Sequence, residues 1–87
     1  MATEEEFKAA AEKVNELTKR PGDFELLQLY GLYKQATDGD VSGKRPGMFD
    51  LKGRAKYDAW ARQKGLSEDK ARDQYVGFVE QLIAKYA

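Results

Sequence analysis

A chain of 87 residues is one domain's worth, with room for a modest core and none for a large internal chamber. It contains no histidine and no cysteine, which removes disulfides, thiolate chemistry, the commonest general base near neutral pH and the commonest nitrogen ligand for zinc. Fifteen basic residues balance fifteen acidic ones, so the positive excess typical of proteins that grip nucleic-acid phosphates is missing.

The chain opens Met1-Ala2-Thr3-Glu4-Glu5-Glu6, acidic and without an apolar stretch, which predicts no signal or transit segment. No apolar run approaches the roughly 20 residues of a membrane-spanning helix. One cytoplasmic domain over residues 1–87, without stable membrane insertion, is the expectation.

Thr3 with Glu6 three residues on has the spacing of a capping box, and Glu4, Glu5 and Glu6 suit the positive end of a helix dipole. Phe7, Ala10, Ala11, Val14 and Leu17 follow at helical spacing, and Pro21-Gly22 stops this first helix. Asp23 is placed to cap the second helix, whose inner stripe reads Leu26, Leu29, Tyr30 and Tyr33, with Leu27 beside it, as far as about Ala36. Residues 37–49 hold three glycines, Pro46 and no sustained period. They predict one long loop, able to cross to a distant neighbour helix, where the short links elsewhere favour antiparallel neighbours. Asp50 starts a third helix that runs to about Lys64 before Gly65, with Trp60 as a core anchor. Ser67 caps a fourth, which carries the strongest stripe: Ala71, Tyr75, Phe78, Val79, Leu82 and Tyr86. The fold class is all-α, a four-helix domain with a long loop between helices 2 and 3.

The most unusual tract is Tyr30-Gly31-Leu32-Tyr33-Lys34, where positions 30, 33 and 34 fall on one helix face and present two phenols and an ammonium. Lys52 and Lys56 stand four apart on the third helix. Lysines with hydroxyl donors suit a phosphomonoester, and neighbouring rings suit a base. Each feature taken alone reads more readily as a core-edge tyrosine with a wet hydroxyl or as a solvated lysine face, and Lys44-Arg45 as ordinary solvation.

In order along the chain, the tracts Tyr30-Gly31-Leu32-Tyr33-Lys34-Gln35-Ala36-Thr37, Gly39-Asp40, Arg45-Pro46-Gly47-Met48 and Lys52-Gly53-Arg54-Ala55-Lys56-Tyr57-Asp58-Ala59-Trp60 resemble the acyl-CoA-binding protein family. The resemblance covers essentially the whole chain. It implies a four-helix bundle in up-down-down-up order and a non-enzymatic, high-affinity intracellular carrier of medium- to long-chain fatty acyl-CoA thioesters. It also implies the site: Tyr30, Tyr33, Lys34 and Lys56 on the coenzyme's 3′-phosphate, Tyr75 at the adenosine, Lys52 lining the head-group site, and Ala11 as a first-helix contact. Gly31 and Leu32 belong to the same binding tract, and Asn15 stands where many members carry a basic residue. Tyr57 replaces a frequent tryptophan and Leu51 a frequent phenylalanine. Apolar residues of helices 2 and 3, with Met48 and Phe49 of the loop, are the expected lining for the tail. Beyond acyl-CoA, no cofactor, metal or nucleic acid is expected. A monomer is, with transient contacts to acyl-CoA-using enzymes or membranes.

Two other readings stay open. A carboxylate-based thioesterase would draw on Asp38, Asp40, Asp50 or Asp58, although no nucleophile–base pair is evident. A protein-interaction module would offer its groove to a partner helix.

Overall fold

The computed structural model describes residues 2–86. Four helices make the fold: α1 (Glu4–Asn15), α2 (Asp23–Asp38), α3 (Leu51–Ala61) and α4 (Glu68–Tyr86). No strand occurs among the described residues.

Local chemistry sets most of the helix starts. Thr3 Oγ1 accepts the Glu6 N–H at 3.1 Å and Glu6 Oε1 accepts the Thr3 N–H at 3.0 Å, a complete capping box. Asp50 Oδ1 accepts from Gly53 N at 2.9 Å and Ser67 Oγ from Lys70 N at 3.1 Å. The expected cap at Asp23 is corrected: Gly22 is the N-cap, with extended backbone, and Asp23 is already helical. Glu25 reaches back to accept the Gly22 N–H at 2.9 Å, which satisfies that donor from inside the helix and leaves Asp23 to pair with Arg20.

Two helices end earlier than their stripes. At the close of α1 the Glu16 N–H is shared between the Lys13 and Val14 carbonyls, and Arg20 is disfavoured as helix by Pro21. Leu17 still packs on the core, but from beyond the end of the helix. Beyond Ala61 the chain tightens into i−3 bonds, Gln63 N to Trp60 O and Lys64 N to Ala61 O, and leaves at Gly65 with φ +92°. In contrast α2 runs on to Asp38, where Gly39 adopts φ +79°.

Each neighbour pair is read from specific contacts. Tyr30 meets Lys56 and Lys34 meets Trp60, so α2 and α3 run parallel. Glu25 meets Lys85 while Tyr33 meets Tyr75, so α4 runs against α2. Ala2 N–H donates to Asp73 and Phe7 packs on Tyr75, so α1 runs with α4. The order is up-down-down-up. The helices pack α1 on α4, α4 on α2 and α2 on α3, and the molecule is a slab of 36 × 28 × 15 Å.

The core joins Phe7 and Ala10 of α1, Leu29, Leu32 and Ala36 of α2, and Ala71, Tyr75, Val79 and Leu82 of α4. This corrects the inner stripe expected for α2. Leu32, Gln35 and Ala36 are buried with Leu29, while Tyr30 and Tyr33 lie at its edges. A helix with neighbours on two sides buries a wider arc than a single stripe of period 3.6. Trp60 is only half-buried and lies outside this core cluster.

The long loop is tied down at several points. Trp60 Nε1 donates to Gly39 O at 2.7 Å, Tyr57 Oη to Gly43 O at 3.0 Å, and the Arg45 guanidinium grips Asp58 through two bonds of 2.9 and 2.8 Å. Gln35 is 1% exposed, and its Nε2 donates to Asp40 Oδ1 at 2.8 Å and Leu66 O at 2.7 Å. Arg45 is thus a structural clamp rather than idle solvation.

Candidate functional site

Successive helical residues turn by about 100°, so Tyr33 and Lys34 diverge although both lie near Tyr30 in angle. The structure divides the tract accordingly. This refines the expected single face: Tyr30 and Lys34 turn toward α3, and Tyr33 turns toward α1 and α4.

On the α1/α4 side, three rings meet. Tyr33 stacks on Phe7 with centroids 5.3 Å apart and planes at 21°, and Tyr75 stands edge-on to both at 5.0 and 5.8 Å. Burial, then the neighbouring Tyr33, pushes the Tyr75 phenol up from its ordinary pKa, so it is held as a neutral hydroxyl. Tyr33 remains exposed at its edge. Ala11 and Asn15 follow Phe7 along α1 at i+4 and i+8, the same line of that helix, with Ala11 packed against the core and Asn15 exposed.

On the α3 side, the Lys56 ammonium lies 5.4 Å from the Tyr30 centroid and the Lys34 ammonium 4.7 Å from that of Trp60. Lys34 also pairs with Asp38, and that hydrogen bond is the main cause raising its pKa. Three of the expected residues, Tyr30, Lys52 and Lys56, line one open groove of about 450 Å³ between α2 and α3. Leu26, Leu27 and Ala55 give it an apolar wall, and Arg20 and Asp23 complete its charged rim.

Gly31 and Leu32 contribute differently. A Cβ on Gly31 would overlap the Ala59 carbonyl oxygen and lie 2.9 Å from its carbon, so the bare glycine lets α2 and α3 approach closely. Leu32 is buried at 1% exposure and presents essentially no surface to a ligand. Both shape the site through packing.

Met48 and Phe49, the loop residues expected to line the tail, are not among the residues that line this groove. Met48 is 74% exposed and Phe49 fully exposed, because Asp50 N–H closes a turn on Gly47 O that leaves both side chains in solvent. Leu51 and Phe24 are likewise exposed, next in sequence to the groove residues Lys52 and Asp23.

Arg20 is not singled out in the sequence, Asp23 reads there only as a cap and Asp38 only as a candidate hydrolytic carboxylate, whereas Leu26 and Leu27 fall among the apolar residues of helix 2 expected to line the tail. The charged pair flanking Pro21-Gly22 at i, i+3 was the available signal for the first two.

Among the described residues, no group of His, Cys, Asp and Glu is placed to hold a metal ion, and no helix is long and apolar enough to cross a membrane. The four carboxylates open to hydrolytic work each have a partner: Asp38 with Lys34, Asp40 with Gln35 and Gly65, Asp50 with Gly53, and Asp58 with Arg45. The Gly65 N–H and Gln35 hold Asp40 below the usual carboxylate range, and Arg45 does the same to Asp58.

A family model described as acyl-CoA-binding protein matches residues 4–79. The chain is 59% identical over 83 residues to an acyl-CoA-binding protein homolog of Drosophila melanogaster, covering 95% of this chain and 96% of that protein. The crystal structure of Oryza sativa acyl-CoA-binding protein 2 superposes with a TM-score of 0.89 at 46% identity, covering 93% of this chain and 90% of that one. A crystal structure from Moniliophthora perniciosa gives 0.90 at 37% identity, covering 98% and 84%.

Proposed function

Because the chain belongs to the acyl-CoA-binding protein family, we propose that it binds medium- to long-chain fatty acyl-CoA thioesters in the α2/α3 groove and carries them as a cytoplasmic pool. The observation that carries this reading is the groove's composition: an apolar wall of Leu26, Leu27 and Ala55, with Lys52 and Lys56 beside Tyr30. A long-chain thioester has the same two halves, an apolar tail and a phosphorylated head.

In this reading Tyr30, Lys34 and Lys56 hold the 3′-phosphate from the α3 side, Tyr33 meets it from the α1/α4 side of the same helix, and Lys52 lines the head-group site. Tyr75 serves the adenosine side with Ala11 and Asn15 of α1. Tail burial supplies most of the free energy. About ten methylenes at about 0.8 kcal/mol each contribute on the order of 8 kcal/mol before ordering costs. Charge-assisted hydrogen bonds add roughly 1.5–3 kcal/mol each, which together reaches the −12 kcal/mol or so of nanomolar binding.

The protein acts as a monomeric carrier rather than an enzyme, needs no cofactor and takes no nucleic acid. It exchanges its cargo through transient contacts with membranes or acyl-CoA-using enzymes. The engagement of Asp38, Asp40, Asp50 and Asp58 with local partners supports a carrier over a hydrolase, since a general base must be free to take a proton.

Calorimetric titration with palmitoyl-CoA, CoA and palmitate tests the reading. It expects tight one-to-one binding of the thioester, weak binding of CoA and none of palmitate, with no free thiol released on incubation. Indifference to chain length between octanoyl- and palmitoyl-CoA would remove tail burial as the driving term. Lys34→Ala is expected to weaken palmitoyl-CoA binding at least about tenfold, about 1.4 kcal/mol, with the fold intact.

A further inference from the structure

Lys34 is the one lysine of the site that already has an acid. Lys52 and Lys56 form no ion pair among the described residues, whereas the Lys34 ammonium is bound to the Asp38 carboxylate one turn on. Helix stability does not account for an acid there. Asp38 is the last residue of α2, at the negative end of the dipole, and no basic residue lies in that last turn. The order lysine then acid at i, i+4 is also the less favourable orientation of such a pair.

The surroundings of Lys34 say what the carboxylate does. One side of the ammonium is covered by the Trp60 ring at 4.7 Å, and the lysine side chain is only 26% exposed. Asp38, at 49%, is the more exposed member of the pair and is bound to the same ammonium. An incoming phosphate that seeks this ammonium meets a carboxylate already hydrogen-bonded to it and of the same sign as itself.

Resting on the head-group assignment above, we propose that Asp38 is an affinity-setting residue that competes with the coenzyme's phosphate for the Lys34 ammonium. In the free protein it keeps the lysine's charge compensated and its side chain oriented over Trp60. On binding, the phosphate displaces the carboxylate or shares the ammonium with it, and either outcome subtracts from affinity. On release, Asp38 recaptures the ammonium and favours departure of the head group.

The test compares wild type, Asp38→Asn, Asp38→Glu, Lys34→Ala and the Asp38→Asn/Lys34→Ala pair, each titrated with palmitoyl-CoA and with its dephospho analogue. Asp38→Asn is expected to bind palmitoyl-CoA about three- to tenfold more tightly. Asp38→Glu should stay near wild type. The gain should vanish with the dephospho thioester and in the Lys34→Ala background, with helicity and urea midpoint unchanged. Unchanged or weaker binding by Asp38→Asn, where Lys34→Ala still loses tenfold, overturns the competition and leaves the head-group assignment standing. A gain that persists without the 3′-phosphate or without Lys34 also overturns it, as a general charge effect. If Lys34→Ala itself binds normally, the head-group assignment and this inference fall together.

Discussion

The hydrogen atom that serves as the side chain of Gly31 decides how near α3 can come. A methyl group there would collide with backbone at Ala59, which cannot rotate away as a side-chain tip can. Gly31→Ala therefore sets a helix-propensity gain of about 1 kcal/mol against an overpacking cost of about 1–3 kcal/mol. The expected net is destabilisation, read as a lower urea midpoint, together with weakened palmitoyl-CoA binding as the groove walls separate. Alanine at Gly77, which has nothing within 4 Å of its would-be Cβ, should be neutral or stabilising in the same assay. The tyrosine-lysine tract was legible as a site because its members are neighbours on one helix. The reason for its glycine was not, since the atom it makes room for belongs to another helix. Lys34's acid partner stood in plain view at i+4, but Asp38 was weighed there only as a carboxylate for hydrolysis.

At the scale of elements, Gln35 is the knot. Its buried amide joins α2 to the start of the loop at Asp40 and to the α3–α4 link at Leu66, and Asp40 also receives the Gly65 N–H. Gln35→Met keeps the bulk but strands those acceptors, and should cost about 2–3 kcal/mol in chemical denaturation. It should also speed limited proteolysis within residues 39–50 more than Arg45→Ala does. The Arg45–Asp58 clamp is partly exposed and screened by solvent, so its loss should be the milder of the two. Helix starts at Thr3, Asp50 and Ser67 were readable because a cap and its target lie three residues apart. The ends of α1 and α3 were not, because they depend on shared and i−3 bonds that many sequences can make. The loop's anchors were invisible for another reason: Gly39 with Trp60 and Gly43 with Tyr57 are pairs that only the folded chain brings together.

Across the whole molecule, the start of α2 and the end of α4 are fastened by Glu25, which accepts from Lys85 at 2.8 Å and from the Tyr86 hydroxyl. The Lys85 hydrogen bond first, then those of Tyr86 and Gly22, lower the Glu25 pKa to about 2 from an ordinary 4.5. A carboxyl with a depressed folded pKa binds more protons when unfolded, so its contribution is fully present above about pH 4.5 and is lost as pH falls toward 2. Glu25→Gln should melt below wild type at pH 7, and the gap should close between pH 4.5 and 2. A gap that stays constant across that window would mean that the charge of Glu25 is irrelevant to the fastening. The up-down-down-up order followed from the family resemblance, and the reach of the long loop merely agreed with it. Which sides of α2 would be buried did not, because a helix flanked on two sides hides its period.

A line of four helices also has an end that loosens first. Among the helices α3 packs on α2 alone, with the ties to the loop as its other support, while α2 and α4 each lie between two helices. Local opening should therefore cost least in α3, and its amide protons should exchange with deuterated solvent sooner than those of α2 and α4. A cargo lying between α2 and α3 would be α3's second neighbour. Loading should then slow deuterium uptake most in residues 51–61, so that the emptied and filled carrier differ chiefly in how firmly one helix is shut.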